Sequence, residues 1–315
     1  MKKVFLIVAV LFVAKLHSQQ DPQYSLYQFN QLVINPGYAG ARDAIAIVAD
    51  VRKQWAGIEG SPGTAALSVH SPVLNNKLGV GLNIVSDRLG AKASSGVYAN
   101  IAYILKIGNK SKLAFGARAG YAMYKFNFSE VKYKDANETA YTELNNTNRG
   151  ALDVDAGLYF RTHTFFAGIS ATHLNKGVLY NGNFQSADPV TGAPNDYSLS
   201  FVLNPHLFFT IGNSFVINEN FLIAPSVMVK NVKGKTTADI NLNFFISKRF
   251  WAGIYLRQGY GFGALFQAYV TNQFRIGYAY DTGLGKKRNL GGGHEIMLGF
   301  DIRKSQAKIV SPRLL

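Results

Sequence analysis

The stretch SKLAFGARAGYAMYKF, Ser111 to Phe126, decides the fold. Leu113, Phe115, Ala117, Ala119, Tyr121 and Met123 take alternate positions, and Lys112, Ala114, Gly116, Arg118, Gly120 and Ala122 take those between. A period of two is that of a β-strand, whose successive side chains point to opposite faces. Strands of soluble proteins are mostly about 5–6 residues long, so this one is long. One face is greasy, and the other is small or charged rather than merely polar. That combination fits a strand with lipid on one side and a polar lumen on the other.

Composition points the same way. Charged residues make up only 16% and aromatics 13%, with 31 glycines and 17 tyrosines, which suits an all-β chain with many turns. Cysteine is absent, which excludes a disulfide framework, thiolate metal ligands, a thiol nucleophile and lipid attachment through cysteine.

The opening MKKVFLIVAVLFVAKLHSQQ places Lys2 and Lys3 before an apolar run from Val4 to Ala14. That run is too short to span a bilayer, and the order of blocks reads as a cleaved secretory signal over residues 1–18 rather than a buried helix. Losing Lys2, Lys3 and Lys15 with it takes three charges from the net +15 and leaves +12. An exported basic chain without a recognition-helix or zinc-ligand pattern points to anionic surfaces or acidic partners, not to nucleic acid.

The alternation recurs. In ADINLNFFI, Ala238, Ile240, Leu242, Phe244 and Ile246 oppose Asp239, Asn241 and Asn243, with Phe245 as the exception. In ALDVDAGLYFR, Leu152, Val154 and Leu158 oppose Asp153 and Asp155; QFRIGYAYD and HEIMLGFDIR behave alike around Arg275, Glu295 and Asp301. A soluble sandwich can show this pattern too. Two features favour a membrane barrel: aromatics gather near strand ends (Tyr278 and Tyr280, Phe250 and Trp251), and the links sort by length. Fourteen strands are expected between residues 44 and 303, the eighth over 198–211. The even-numbered links include IGNKSK, THT, SKR and TNQ, whereas the odd ones include the long segments 128–150, 174–197 and 282–293. Short periplasmic turns and long extracellular loops are the layout of an outer-membrane barrel.

The resulting plan is a signal at 1–18, an N-terminal periplasmic or plug segment at 19–43, a transmembrane antiparallel barrel at 44–303 and a basic periplasmic tail at 304–315. A barrel of about fourteen strands is wider than its own side chains fill. Its wall would carry Arg118, Asp153, Asp155, Asp239, Arg275, Glu295 and Asp301. These charges either satisfy one another or grip a segment of a partner. Tyr24, Tyr27, Phe29, Val33 and Ile34 need cover, so residues 19–38 are expected to plug the periplasmic mouth or dock on a neighbouring protein. Asn35-Pro36-Gly37 reads as a turn launching the first strand, with Gly37 free to take a positive φ. The tail, with Lys304, Lys308 and Arg313, either meets an acidic partner or headgroups or is simply solvated.

No enzyme is legible. His70, His163, His173, His206 and His294 are widely spaced, with no HExxH pair and no nucleophile elbow. GYGFGA at 259–264 lacks the strand–loop–helix context of a phosphate cradle. Asp135 and Glu138, in a long loop, are weak candidates for catalysis. No metal or cofactor is expected.

QDPQYSLYQFNQLVINPGYAGARDA leads into RKQWAGIEGSP. The run Asp21, Pro22 and Gln23, then Asn35-Pro36-Gly37-Tyr38-Ala39-Gly40, then Arg52, Gln54, Trp55 and Gly60, with RIGYAYD, HEIMLGFD and a terminal SPR, resembles the PorP/SprF family. The match runs in order along nearly the whole mature chain; Leu314 and Leu315 stand where the family usually carries aromatics. The resemblance implies an outer-membrane barrel of the type IX secretion apparatus, in places tied to gliding motility. It would support secretion or surface anchoring of an adhesin by binding the adhesin's C-terminal domain, or would join other components of the machinery. A passive porin-like channel is the alternative.

Overall fold

A computed structural model describes residues 21–127, 147–187 and 194–302. The signal, the tail at 304–315 and most of the link at 128–150 lie outside the described residues.

Strands β1 (Ile45–Lys53), β2 (Gly63–Val73), β3 (Leu78–Leu89), β4 (Lys92–Ile107), β5 (Ser111–Phe126), β6 (Thr147–Arg161) and β7 (Phe165–Thr172) form one antiparallel meander. β8 (Val178–Ala187) and β9 (Pro194–Val202) pair with each other as a separate hairpin. The meander resumes with β10 (His206–Asn213) and β11 (Phe215–Asn218), then β12 (Phe221–Val232), β13 (Lys235–Ile246), β14 (Phe250–Arg257), β15 (Gly261–Tyr269), β16 (Phe274–Gly283) and β17 (Gly293–Ile302). β17 returns to pair with β1, from Ile45↔Ile302 to Lys53↔His294, and the sheet closes. Of the fifteen strands in this sheet, β11 only prolongs β10 beyond Ser214 along the same partner β12, so the wall has fourteen. Closure pairs each wall strand on both sides and leaves no sheet edge to meet hydrocarbon.

The eighth wall strand starts at His206, not at residue 198. The alternation of residues 198–202 belongs to the hairpin, and Leu203–Pro205 break the run between the two. At one end of the barrel every turn has at most four residues, as at 162–164 and 247–249. The long links 54–62, 127–146, 173–205 and 284–292 all lie at the other.

Burial is inverted relative to a soluble protein. Leu152, Val154, Ile254, Ile296 and Leu298 on the outer face are 69%, 43%, 58%, 51% and 43% exposed, while Asp153, Asp155, Glu295 and Asp301 on the inner face are buried. In the Ser111–Phe126 strand, Phe115, Tyr121 and Met123 point out and Arg118 points in. An exterior this apolar is stable only against lipid. Phe250 stands on the outer face at the start of β14, and Tyr278 and Tyr280 stand on the outer face within β16, with Tyr278 at mid-strand; Trp251 does not join them. It points inward and packs edge-on against Phe29 at 5.9 Å.

The core of this barrel is its own N-terminal segment. Residues 21–44 run through the lumen from the long-loop end to the short-turn end, through 3-10 turns at Tyr27–Phe29, Gln31–Val33 and Pro36–Tyr38. Leu26 and Phe29 pack with Trp251, Phe245, Leu265 and Met297. Leu32 and Tyr38 pack with Ile104, Tyr159 and Phe166, and Tyr24, Tyr27 and Ile34 with Phe208. Asn35 caps the third turn, its Oδ1 accepting from Gly37 N at 2.8 Å and its Nδ2 donating to Leu158 O at 2.9 Å. Pro36 sits at the first helical position, where a missing N–H costs nothing. Gly40, with φ of 70°, takes the left-handed conformation expected of Gly37. Gly37 serves close approach instead, against the backbone of Gly116.

Candidate functional site

The lumen segment leaves many backbone groups unpaired by regular structure, and buried polar groups need partners. The wall supplies them. At the long-loop end, the carboxylate of Glu295 accepts the N–H groups of Ser25 and Leu26 at 2.6 and 2.7 Å. Arg52 reaches Ser25 Oγ at 2.7 Å, Glu295 at 3.0 Å and Asp281 at 2.7 Å. Arg257 pairs with Asp239 at 2.9 Å and donates to Tyr24 O at 2.9 Å. Across the lumen Arg118 pairs with Asp155, lies over the ring of Tyr98 at 5.0 Å and donates to Val33 O at 3.2 Å.

Midway, Asn241 donates to Tyr27 Oη at 2.7 Å, Asn243 to Gln28 Oε1 at 2.6 Å, and Asn30 to Ser68 Oγ at 3.0 Å. Ser170 Oγ donates to Ile34 O at 2.6 Å. At the short-turn end Asp301 joins two guanidinium groups, Arg42 at 2.6 Å and Arg275 at 2.8 Å. These partners stand on opposite sides of the wall, so the segment is held all round rather than along one flank.

A further cluster lies where the segment begins. His173 Nε2 is 2.7 Å from Asp21 Oδ1, His173 Nδ1 is 2.8 Å from Asp153 Oδ2, and His206 Nδ1 is 2.5 Å from Asp21 Oδ2. Burial of His173, just beyond β7, favours its neutral form; Asp21 and Asp153 outweigh this and raise its pKa to about 10.

The seven wall residues expected from sequence all point inward, but they do not converge on one site. Asp153, Asp155 and Arg118 share the β5–β6 side, Arg275 and Asp301 the short-turn end of β16–β17, Glu295 the other end of β17, and Asp239 lies on β13. Each is engaged within the chain. Among the motif residues, Asp21 joins the histidine cluster, Pro22 and Gln23 line a small cavity beside Asp239 and Arg257, Asn35, Pro36 and Gly40 shape the lumen segment, and Arg52 anchors it. Gln54 and Trp55 lie in the link after β1, where Gln54 N donates to Pro62 O at 3.0 Å. Sequence reading missed Arg42, Arg257, Asp281, His173 and His206. The arginines and Asp281 had a signal, since each sits at an inward position or in the motif-rich segment. The histidines had none, being 33 positions apart by number and on separate segments.

Comparison with known proteins adds the following. The model of a family described as "Type IX secretion system membrane protein PorP/SprF" matches residues 16–300. No curated protein matches the chain. Among solved structures, the chain is similar to the toluene transporter TodX of P. putida, with a TM-score of 0.52, 11% identity, and 90% of this chain and 95% of that chain covered. It is also similar to the toluene transporter TbuX of Ralstonia pickettii, with a TM-score of 0.52, 11% identity, and 86% of this chain and 92% of that chain covered. At such identities the likeness is one of fold, that of an outer-membrane barrel.

Proposed function

The chain belongs to the PorP/SprF family of type IX secretion system membrane proteins, and from that premise we propose that it supports secretion or surface anchoring of a partner adhesin by engaging that adhesin's C-terminal domain. It is a barrel of the outer membrane. On this reading it is a support for a protein partner, with neither catalysis nor passive solute flow as its task.

The observation that carries the reading is the filled lumen. Residues 24–41 bury nearly all their side chains against the wall and are tied by hydrogen bonds to strands on every side. A passive channel needs an open water-filled lumen, whereas a docking barrel needs rigidity. The wall carboxylates Asp153, Asp155 and Asp239 are taken up by His173, Arg118 and Arg257. That favours the long-loop end over the lumen as the docking surface. There the β8–β9 hairpin lies beside β6 and pairs only with itself among the described residues.

Crosslinking on intact cells, followed by purification and mass spectrometry, tests this. Capture of the C-terminal domain of a large secreted protein on peptides from the long links is expected. Large, steady ion conductance of the purified barrel with no captured partner would make it a passive channel instead.

A further inference from the structure

Asp21, His173 and His206 reach one another from three separate segments: the start of the lumen segment, the residue after β7 and the first residue of β10. Their ligand atoms lie within 4.8 Å of one another. First-row metal ions hold nitrogen and oxygen donors at about 2.0–2.2 Å, so one ion can bridge the three with small adjustments. We propose that these residues form a binding site for a divalent transition-metal ion of the zinc class, held by the Asp21 carboxylate, Nε2 of His173 and Nδ1 of His206, and that the ion fastens the N-terminal segment to the barrel wall.

Three independent features support the assignment. Two imidazole nitrogens and a carboxylate are the donor set that zinc-class ions take when thiolates are absent. Asp153 stands behind His173, with Oδ2 at 2.8 Å from Nδ1. That is the place of the outer carboxylate in carboxylate–histidine–metal triads: it holds the proton on Nδ1 and turns the Nε2 lone pair toward the ion. Lastly, His206 is fully buried, with Nδ1 aimed at the Asp21 carboxylate from 2.5 Å and no hydrogen bond at Nε2. The buried ring is thus held with one nitrogen against the same carboxylate that His173 reaches.

Charge agrees with this. Among the described residues Asp155 has Arg118, whereas Asp21 and Asp153 have the two histidines in ion-pair contact. Lys230 is buried on β12 in the same neighbourhood. A divalent ion offsets the two carboxylates, and a water molecule completes four-coordination.

The test uses the purified mature protein in detergent, stripped with EDTA and dialysed, then titrated with zinc chloride by calorimetry, with bound zinc measured by mass spectrometry. One equivalent is expected, with a rise in the unfolding midpoint and slower proteolysis of the N-terminal segment. Asp21→Asn and His206→Gln should each weaken zinc binding at least tenfold, and Asp153→Asn about 10–100-fold. Heat-modifiable migration on gels shows that each variant barrel has closed. Asp21 lies outside the wall strands, at the start of the described lumen segment, so its variant tests the site even if His206→Gln fails to close. His294→Gln, on the outer face, should leave binding unchanged. Absence of stoichiometric zinc, or equal binding by Asp21→Asn, overturns the proposal and leaves a metal-free clamp in which protonated His173 sits between two aspartates.

Discussion

Glu295 on β17 accepts the backbone N–H of Ser25 at 2.6 Å, across 270 positions of sequence. Its other oxygen takes Leu26 N, and Arg52 neutralises it. One wall carboxylate thus fixes the upper part of the lumen segment. Glu295→Ala removes both acceptors and takes from Arg52 one of its two carboxylate partners, leaving Asp281. Taking one partner from a buried pair costs about 3–5 kcal/mol. The barrel is expected to close, while the N-terminal segment becomes open to added protease and bilayer conductance rises. Glu295→Gln, which keeps an acceptor, should show a smaller effect.

Close approach makes Gly116 a second control point. A Cβ there would collide with Gly37 N and with the carbonyl carbon of Pro36, both backbone. Backbone cannot swing aside as a long side chain can, so Gly116→Ala should shift the Asn35–Tyr38 turn and lower stability by about 1–3 kcal/mol. Denaturant unfolding followed by Trp251 fluorescence reads this, since Trp251 packs on Phe29 of the same segment. Ala114→Gly, on the same strand, should not reproduce the shift of the turn.

The triple change Asp153→Asn, Asp155→Asn and Asp239→Asn strips the counter-charges from His173, Arg118 and Arg257. Were these acids a free grip for a partner, the barrel would keep its stability and lose only the partner. Because they neutralise buried cations, the variant is expected to unfold several degrees lower in detergent. Unchanged heat resistance would show that the pairs contribute little.

Facing is tested on β13. Leu242 lies on the outer face, whereas Asn243 is fully buried and donates to Gln28. Leu242→Arg puts a charge in lipid at a cost of about 2–4 kcal/mol near mid-bilayer, and surface yield should drop. Asn243→Ala should assemble normally and loosen only the segment near Gln28, seen as faster hydrogen exchange at residues 27–30.

Much of this architecture was written in period and spacing. Strands of period two, an outward apolar face and links sorted by length specify an outer-membrane barrel of fourteen strands, because each is a local property that lipid and closure impose on every strand. The Asn35-Pro36 turn was legible because its chemistry is contained in adjacent residues, although it lies within the lumen segment and β1 begins only at Ile45. The eighth strand was misplaced because residues 198–202 alternate like wall residues, and alternation does not say which sheet a strand joins. Which carboxylate meets which cation was equally invisible. Inward position shows only that Asp239 faces the lumen; the tilt and register of β13 and β14, Asp239↔Arg257, choose its partner. The apolar side chains from Tyr24 to Ile34 already predicted a plug at one mouth, but only the tertiary structure decided that residues 21–44 thread the lumen from end to end and that Asp21, His173 and His206 meet. Those contacts join segments far apart in the chain, and no periodicity carries information across a closed sheet; only closure brings the first residues against strands contributed by all the rest.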